Sequence, residues 1–532
     1  MTAAEYDYIV VGGGSGGCVV AGRLAGQGRS VLLLEAGPGD RSPLLSVPGA
    51  GAFGASARRF NWSYETEPQA ALGNRRLYLS QGRVLGGGSS INGMVYTRGF
   101  SREYDNWRDA GCEGWGYEDV LPFFRNLETS ERGRDRWHGD QGPVQVSRGR
   151  SSLPVCELIL DAASEAGYPQ VDDFCAADSE GFGYYDFTIG KGRRSSSSRA
   201  FLRPADPRCI TTHTGALALS LEMEGGRVTG VRYRHCGEVF VARVNGEVIL
   251  ASGAVNTPKL LMLSGIGPAE HLDRLGIRVH LDQPHVGQNL QNHLCFKLAF
   301  ATNKPITAYR YFSPWNAALE VLRYIRESKG FFAEGSAPAG GFFKSDDSQA
   351  FPDLQLFAPP AVVGLAGKGW RALLPRQHGF TFFVSHGTPR SRGEIRLRSA
   401  DPDALPLIDP NYLDVESDLE CLVSGIRKVR DIASQPALAA VVSEEILPGS
   451  GISGAQALRD AVRERATNQF HVAGSCRMGS APGSSVVDSQ LRVWGVENLR
   501  IADASVMPTL MNGNTNAPVM MIGERAADFI LR

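Results

Sequence analysis

The first forty residues alternate between short apolar runs and glycine-rich turns. Residues 6–11, with the run Tyr8-Ile9-Val10-Val11, predict a strand, and residues 18–25, rich in Val, Ala and Leu, predict a packed helix. Residues 31–34 predict a second strand, which ends at Glu35. Strand, tight turn, helix, strand and acid follow one another in the order of a dinucleotide-binding unit.

A G-x-G-x-x-G pattern stands in the turn of this unit, but it occurs three times in the chain. The matches are Gly12/Gly14/Gly17, Gly49/Gly51/Gly54 and Gly449/Gly451/Gly454. Because 63 of the 532 residues are glycine, the bare pattern is weak evidence. Pro48 and Pro448 directly precede the second and third matches, where a feeding strand should end, so we expect those two to be loops.

In the first match each glycine has a distinct task. Gly12 permits the turn, Gly14 lets the backbone approach a pyrophosphate, and Gly17 lets the helix lie close to the strand. Glu35 can accept hydrogen bonds from a ribose 2′-hydroxyl but repels a 2′-phosphate, which argues against NADP. FAD and NAD both remain open on these residues, as does a glycine turn without a ligand.

The rest of the chain predicts a second domain built on an antiparallel sheet. Alternating apolar and polar residues predict strands at 227–233 and 239–248, and further strands at 380–384 and 394–397. Apolar spacing predicts helices at 258–263, 269–275 and 315–329. Near the C-terminus, residues 499–502 predict a strand that ends at Asp503, and 518–531 predict a helix preceded by Asn514, Thr515 and Asn516.

Composition and charge indicate which kinds of partner and which compartment to expect. Lys and Arg total 55 against 56 Asp and Glu, so small molecules are favoured over nucleic acid or anionic lipid. Nine cysteines without a C-x-x-C pair suit a reducing compartment, and the early first strand leaves no room for a signal peptide, so we expect a cytoplasmic protein. We find no apolar run of about 18 residues, so no membrane-spanning helix is expected.

Oxidising an alcohol requires a base, and histidine is the usual base near neutral pH. Among the ten histidines, His471 precedes the small residues Ala473, Gly474 and Ser475, which let a ligand approach. Asn514 either donates a hydrogen bond to the substrate oxygen or simply caps the following helix. His138, His293 and His386 show no metal-ligand spacing, so no metal site is expected.

A Gly-x-Ser-x-Gly pattern, typical of serine hydrolases, occurs at residues 13–17 around Ser15. It follows the first strand of the chain, so no upstream strand and loop exist to supply a second oxyanion donor. A serine hydrolase is therefore disfavoured.

Long segments of the chain resemble the glucose-methanol-choline (GMC) oxidoreductase family, most of all its bacterial choline dehydrogenase-like members. The similar segments are residues 12–17, 82–93, His138-Gly139 with Gly142-Pro143, 253–268, Val286-Gly287 with Asn289-Leu290, Ser391-Arg392-Gly393, 471–479 and 503–518.

The resemblance implies an α/β fold: a Rossmann-like FAD-binding domain, of the kind also found in p-hydroxybenzoate hydroxylase, with a substrate domain built on an antiparallel sheet covered by helices. It implies that residues 1–150, 200–293 and 465–532 form the FAD-binding domain and that 151–199 and 294–464 form the substrate domain. In members with covalent flavin a histidine follows the Ser-Ser pair, whereas Ile91 stands there in this chain, so we expect non-covalent FAD.

The resemblance also implies the site residues. His471 and Asn514 match the catalytic pair, and Gln469 and Phe470 are expected to line the substrate pocket. The predicted cofactor contacts are Gly12, Gly14, Ser15, Gly17, Glu35, Ala36, Arg83, Gly87, Gly88, Ser89, Asn92, Gly93, Met94, Val95, Ala218, Asp503, Ala504, Asn514 and Thr515.

The expected reaction is oxidation of an alcohol, most simply a primary alcohol, to the aldehyde. His471 accepts the hydroxyl proton, Asn514 steadies the alkoxide and flavin N5 takes the hydride. The acceptor for the flavin electrons is oxygen or a quinone or artificial acceptor, and a monomer and a homodimer are both open. The alternative is an FAD-containing lyase of the same fold, which cleaves cyanohydrins without net redox change.

Overall fold

The computed structural model describes residues 5–176, 180–363 and 376–532, and no helix within them is long and apolar enough to cross a membrane. The helices are α1 (Ser15–Gly26), α2 (Pro43–Ser46), α3 (Gly51–Ser56), α4 (Gly88–Ile91), α5 (Ser101–Asp109), α6 (Tyr117–Leu127), α7 (Pro154–Glu165), α8 (Gly253–Leu263), α9 (Ala269–Arg274), α10 (Pro314–Glu327), α11 (Glu416–Ser434), α12 (Pro436–Ala439), α13 (Ala455–Arg465) and α14 (Asn516–Leu531).

The strands range from two-residue ladders to one of thirteen residues. They are β1 (Glu5–Val11), β2 (Val31–Glu35), β3 (Tyr64–Glu65), β4 (Tyr78–Leu79), β5 (Val95–Tyr96), β6 (Glu128–Ser130), β7 (Val144–Val146), β8 (Gly181–Tyr184), β9 (Asp186–Phe187), β10 (Ile189–Gly190), β11 (Arg193–Arg194), β12 (Ile210–Thr214), β13 (Leu217–Glu224), β14 (Arg227–His235), β15 (Glu238–Leu250), β16 (Ile266–Gly267), β17 (Leu281–Asp282), β18 (Gln288–Leu290), β19 (Leu294–Thr302), β20 (Ala339–Phe343), β21 (Leu354–Ala358), β22 (Gly379–His386), β23 (Gly393–Arg396), β24 (Leu407–Asp409), β25 (Val442–Leu447), β26 (Thr467–Asn468) and β27 (Leu499–Ile501).

The first large sheet holds the predicted opening unit. Its order is β12-β2-β1-β15-β14-β13, with β27 also paired to β15. β1 runs parallel to both β2 and β15, whereas β14 and β13 add an antiparallel edge. Strands buried on both faces need continuous apolar runs, which residues 8–11 and 31–34 supply. The predicted Rossmann-like architecture is confirmed, with α1 starting at Ser15, three residues before the predicted start.

The second large sheet is antiparallel throughout. Its order is β25-β19-β22-β21-β20-β8, with β26 also paired to β19. Along β22 the side chains alternate: Phe382 and Val384 pack with α7 and α11 in one apolar cluster, whereas Phe383 points to the other face. That other face forms part of a large cavity. The predicted antiparallel sheet covered by helices is confirmed.

Hydrophobic packing does not follow the predicted domain boundaries at every point. Leu72 and Leu77 pack in the core of the second sheet, whereas Ile395 and Ile408 pack in the core of the first. β26 pairs with β19 of the second sheet, although residues 465–532 were expected in the FAD-binding domain. The division into two discontinuous domains stays a prediction.

Two local expectations are wrong. Residues 49–54 were expected to form a loop, but they form a 3-10 turn (Pro48–Ala50) and α3. α8 begins at Gly253, five residues before the predicted start, and contains Pro258. Asp503 lies 250 residues away in the chain and fixes this start, because its Oδ2 accepts the Gly253 amide at 2.8 Å. A partner at that separation leaves no local sequence signal.

Candidate active site

A cavity of about 870 Å³ lies between the two large sheets and brings most of the predicted site residues together. Those that line it are Gly12, Gly14, Ser15, Glu35, Ala36, Gly87, Gly88, Asn92, Gly93, Met94, Val95, Ala218, Gln469, Phe470, His471, Asp503, Ala504, Asn514 and Thr515.

Gly17, Arg83 and Ser89 are not among the residues that line this cavity. A Cβ on Gly17 would stand 1.9 Å from the Gly12 carbonyl oxygen, so this glycine holds α1 against β1. The Arg83 guanidinium lies over the Trp62 ring, 4.8 Å from its centroid, and the Ser89 hydroxyl donates to the Gly86 carbonyl at 2.6 Å. Direct cofactor contact by these three residues stays a prediction.

The glycine turn presents backbone, rather than side chains, to the cavity. Gly12 has φ +105°, which only glycine adopts without strain. A Cβ on Gly14 would meet nothing closer than the Ala251 carbonyl oxygen at 3.6 Å, so the space beside it is open cavity. A Cβ on Gly88 or Gly253 would meet no atom within 4 Å. Together these residues leave a groove shaped for a ligand in close contact with main chain.

Two helix N-termini open into the same cavity. The N-cap of α1 is Gly14, which has no side chain, and that of α14 is Thr515, whose side chain does not bond the first amides. Free amides and the positive end of the helix dipole favour an anionic group at each point. The Ser15 hydroxyl donates to Asn516 Oδ1 at 2.8 Å and so joins the two helix starts, a structural use of the serine in the hydrolase-like pattern.

Glu35 and Asp503 are both buried carboxylates held by backbone amides. Glu35 accepts the amides of Gly13 at 2.9 Å and Gly37 at 2.7 Å, and burial raises its pKa although these bonds oppose the shift. Asp503 accepts the Gly253 amide, the Thr257 hydroxyl at 2.6 Å and the Ser505 amide at 2.8 Å. Each carboxylate is therefore fixed in position, with lone pairs left for a ligand hydroxyl.

His471 is partly buried and lies against a second histidine that the sequence did not single out for catalysis. Its Nδ1 lies 2.9 Å from His293 Nδ1, and His293 Nε2 lies 2.9 Å from the Gly387 carbonyl oxygen. Burial lowers the pKa of His471 to about 4 and that of His293 well below its usual value, so both rings are neutral near pH 7.

The proton positions on this pair follow from the Gly387 carbonyl. A carbonyl oxygen only accepts, so His293 Nε2 carries the proton and His293 Nδ1 is an acceptor. His471 Nδ1 must then donate to it, which leaves His471 Nε2 as a bare lone pair facing the cavity. The arrangement therefore presents a neutral base.

Asn514 faces that lone pair. Its Nδ2 lies 3.5 Å from His471 Nε2, and its Oδ1 faces Thr97 Oγ1 at 3.5 Å and Gln355 Nε2 at 3.4 Å. These two donors select the amide orientation in which Nδ2 points to His471. Gly513, with φ +127°, lets the loop make this approach, since a Cβ there would stand 2.9 Å from Thr97 Oγ1.

The two predicted pocket residues before His471 are also placed at the cavity. Gln469 donates to Ser385 Oγ at 3.1 Å, and Phe470 has φ +66°, a strained backbone for an aromatic residue. The His471 amide donates to Asn292 Oδ1 at 2.7 Å. The supporting residues Thr97, Asn292, His293 and Gln355 come from three distant segments, so no local pattern identifies them.

His386 has neighbours that the sequence spacing did not reveal. Its ring, the Asp353 carboxylate and the Cys421 thiol place ligand atoms within 4.8 Å of one another. The Asp353 carboxylate accepts the Ser345 amide at 2.7 Å and its hydroxyl at 2.5 Å, and Cys421 Sγ lies 3.5 Å from it. Hydrogen bonds within the protein thus already engage the Asp353 carboxylate and the Cys421 thiol.

The chain is similar to known proteins over most of its length. The family models described as GMC oxidoreductase match residues 6–295 and 389–523. Oxygen-dependent choline dehydrogenase from Rhizobium etli is 38% identical over 529 residues, which cover 99% of this chain and 96% of that protein. The protein of that name from Sinorhizobium fredii is 39% identical over the same length and with the same coverage.

Solved structures with a similar fold cover nearly the whole chain. A variant of formate oxidase from Aspergillus oryzae superposes with a TM-score of 0.93 at 26% identity, covering 100% of this chain and 98% of that one. Pyridoxine 4-oxidase from Mesorbium loti superposes with a TM-score of 0.88 at 28% identity, covering 98% of each chain.

Proposed function

The chain belongs to the GMC oxidoreductase family, FAD-dependent enzymes that act on CH–OH donors, and we propose that it oxidises an apolar primary alcohol to the aldehyde with His471 as the base. One observation carries this proposal: a neutral imidazole lone pair and an amide donor face each other across 3.5 Å inside the cavity.

FAD fits the residues present. The open space beside Gly14, Gly88 and Gly253 admits a dinucleotide against the backbone, and the N-terminus of α1 suits the pyrophosphate. Glu35 suits the adenosine ribose, and the N-terminus of α14 suits an electron-rich ring system. Ile91, which lines the cavity, offers no atom for a covalent bond, so FAD is held non-covalently. Acid precipitation should release all the flavin into the supernatant.

The residues of the site divide the reaction between them. The alcohol hydroxyl sits between His471 Nε2, which accepts its proton, and Asn514 Nδ2, which donates to the oxygen as negative charge develops there. His293 stabilises the imidazolium that forms, because its Nδ1 accepts from His471 Nδ1 at 2.9 Å. When bound, FAD supplies the acceptor for the hydride that leaves the alcohol carbon.

The wall of the cavity indicates the kind of alcohol. Apolar side chains dominate it: Leu153, Tyr311, Phe357, Pro359, Pro360, Val363 and Phe383. Burying such a surface against an aryl or alkyl body stabilises the complex by about 25 cal/mol per Å². We therefore propose an aryl or medium-chain alkyl alcohol as the substrate class.

The same wall disfavours a quaternary ammonium substrate such as choline. Arg310 lies 5.5 Å from the Tyr311 ring centroid, and Lys297 lies 5.4 Å from the Phe383 ring centroid. These two rings therefore already make cation–π contacts with the protein's own side chains, and a second cation there would be repelled. Trp315 is 74% exposed and does not join a cage. Glu334 also lines the cavity, but burial raises its pKa and Ser152 bonds its carboxylate.

A panel of alcohols mixed anaerobically with the FAD-loaded protein tests the proposal. Benzyl-type and medium-chain primary alcohols should bleach the flavin and release aldehyde, and choline should do so far more slowly. Faster bleaching by choline would overturn the proposed substrate class. Yellow flavin with every alcohol, together with release of cyanide from a cyanohydrin, would favour the lyase alternative.

A further inference from the structure

Helix α10 carries an exposed apolar stripe. Trp315 is 74% exposed, Leu319 47%, Leu322 51% and Ile325 72%, and no residue of the helix is buried. At 3.6 residues per turn these four side chains fall within an arc of about 120° on one side of the helix. Large apolar side chains at this exposure and spacing indicate an interaction surface that contacts another apolar surface.

The opposite side of α10 holds the helix to the protein. The Tyr324 hydroxyl donates to the Gly192 carbonyl at 3.0 Å, and the Glu320 carboxylate accepts the Phe331 amide at 2.9 Å. Ala317 on this side lines the cavity. The orientation of the helix is thus fixed, and its apolar stripe points outward.

The stripe lies beside a point where the cavity reaches the surface. Phe312, two residues before α10, lines the cavity and is 37% exposed. Tyr311, Phe331 and Phe332, which flank the helix in the chain, also line the cavity. An apolar surface that covers the stripe therefore also lies next to this part of the cavity wall.

Exposed basic side chains lie on α10 and next to it in the chain. Residues 310–329 hold four basic and two acidic side chains, and the basic ones include Arg326 and Lys329 near the C-terminal end of α10. The turn between β10 and β11, which Tyr324 joins to the opposite side of α10, adds exposed Lys191 and Arg193 next to the helix. The net charge of −1 for the whole chain conceals this local excess. An exposed apolar stripe on a helix that also carries Arg and Lys is complementary to a bilayer with anionic headgroups.

We propose that α10 docks on the surface of an anionic bilayer, with Trp315, Leu319, Leu322 and Ile325 at the boundary between headgroups and acyl chains. An apolar alcohol dissolved in the bilayer then reaches the cavity beside Phe312; this second part rests on the proposed function, whereas the docking does not. A second copy of the chain fits less well, because a stripe about 20 Å long and 10 Å wide offers roughly 200 Å², against roughly 800 Å² per partner in a stable dimer.

Vesicle co-sedimentation tests the docking. The FAD-loaded protein should pellet with vesicles of phosphatidylcholine and phosphatidylglycerol, less with phosphatidylcholine alone, and less at high salt. Leu322→Glu should lower the bound fraction by about tenfold. Val239→Glu is the matched control, since Val239 is 55% exposed on the first sheet, and it should bind like wild type. Trp315 emission should shift to the blue on binding, and Trp315→Phe should remove that shift.

Three results would overturn the docking. The first is wild-type protein that does not pellet with anionic vesicles. The second is an equal decrease of the vesicle-bound fraction in Leu322→Glu and Val239→Glu. A wild-type dimer in sedimentation velocity that Leu322→Glu separates would assign the stripe to a second copy. Alcohol-dependent bleaching in solution should be the same in wild type and both variants, so a failure of the proposed reaction is seen separately from a failure of docking.

Discussion

His293 sets the proton position on His471, and two substitutions that each keep half of its hydrogen bonding can separate this effect. In His293→Asn the side-chain oxygen can replace Nδ1 as acceptor, and in His293→Gln the side-chain nitrogen can replace Nε2 as donor to the Gly387 carbonyl. Only the asparagine variant keeps the acceptor for His471 Nδ1–H.

The expected magnitude follows from the buried bond that the glutamine variant loses. His293 and His471 lie 2.9 Å apart, and a buried donor left without a partner costs about 1–3 kcal/mol. His471 relieves this cost by moving its proton to Nε2, which removes the lone pair that faces the substrate. At about 1.36 kcal/mol per factor of ten, flavin reduction in His293→Gln should be roughly 5- to 150-fold slower.

Stopped-flow flavin reduction by a saturating aryl alcohol is the assay. His293→Asn should stay within a few-fold of wild type, and FAD content should be equal in all proteins. His213→Leu, which alters a partly buried histidine on the first sheet, should reduce at the wild-type rate. Equal rates in His293→Asn and His293→Gln, whether fast or slow, would refute the assignment of His293 as the acceptor.

Three further expectations follow from the site and its surroundings. With the pKa of His471 lowered to about 4, the reduction rate constant should be flat near neutral pH and fall tenfold per pH unit below about 4, as seen by stopped flow across pH. Gly14→Val should fold but retain little flavin, because its side chain enters open cavity, whereas Gly17→Val should not fold; visible absorbance and circular dichroism separate the two. Burial lowers the pKa of His138, but hydrogen bonds to Asp173 and Glu128 outweigh it and raise the pKa to about 9. The stability that protonated His138 contributes is complete below about pH 6.5 and is lost as pH rises through about 9, so the melting temperature of wild type should fall over that range more than that of His138→Gln.

The sequence predicts the elements whose signals are local. A strand buried on both faces, a glycine turn and a helix each leave a pattern within about ten residues, as residues 5–35 do. The family resemblance adds His471 and Asn514, which the structure brings within 3.5 Å across 43 residues of chain.

Features that depend on distant partners escape such reasoning. The start of α8 at Gly253 is set by Asp503, and the role of His293, which directly precedes β19, appears only when the fold brings it beside His471. Arg83 and Ser89 belong to a glycine-rich segment that does meet the cavity, but neither residue lines it: Arg83 packs on the Trp62 ring and Ser89 bonds the Gly86 carbonyl oxygen. A sequence pattern places a segment at a site; packing decides which of its side chains face the ligand.

Single-turnover reduction in wild type and His471→Ala, at equal FAD content, tests the central claim most directly. The protein is mixed anaerobically with an aryl alcohol, and flavin bleaching and aldehyde are measured together. Wild type should form one aldehyde per flavin, and the variant should bind FAD normally but reduce it about 10²- to 10⁴-fold more slowly. Reduction of the variant at the wild-type rate, or bleaching without aldehyde, would contradict the account.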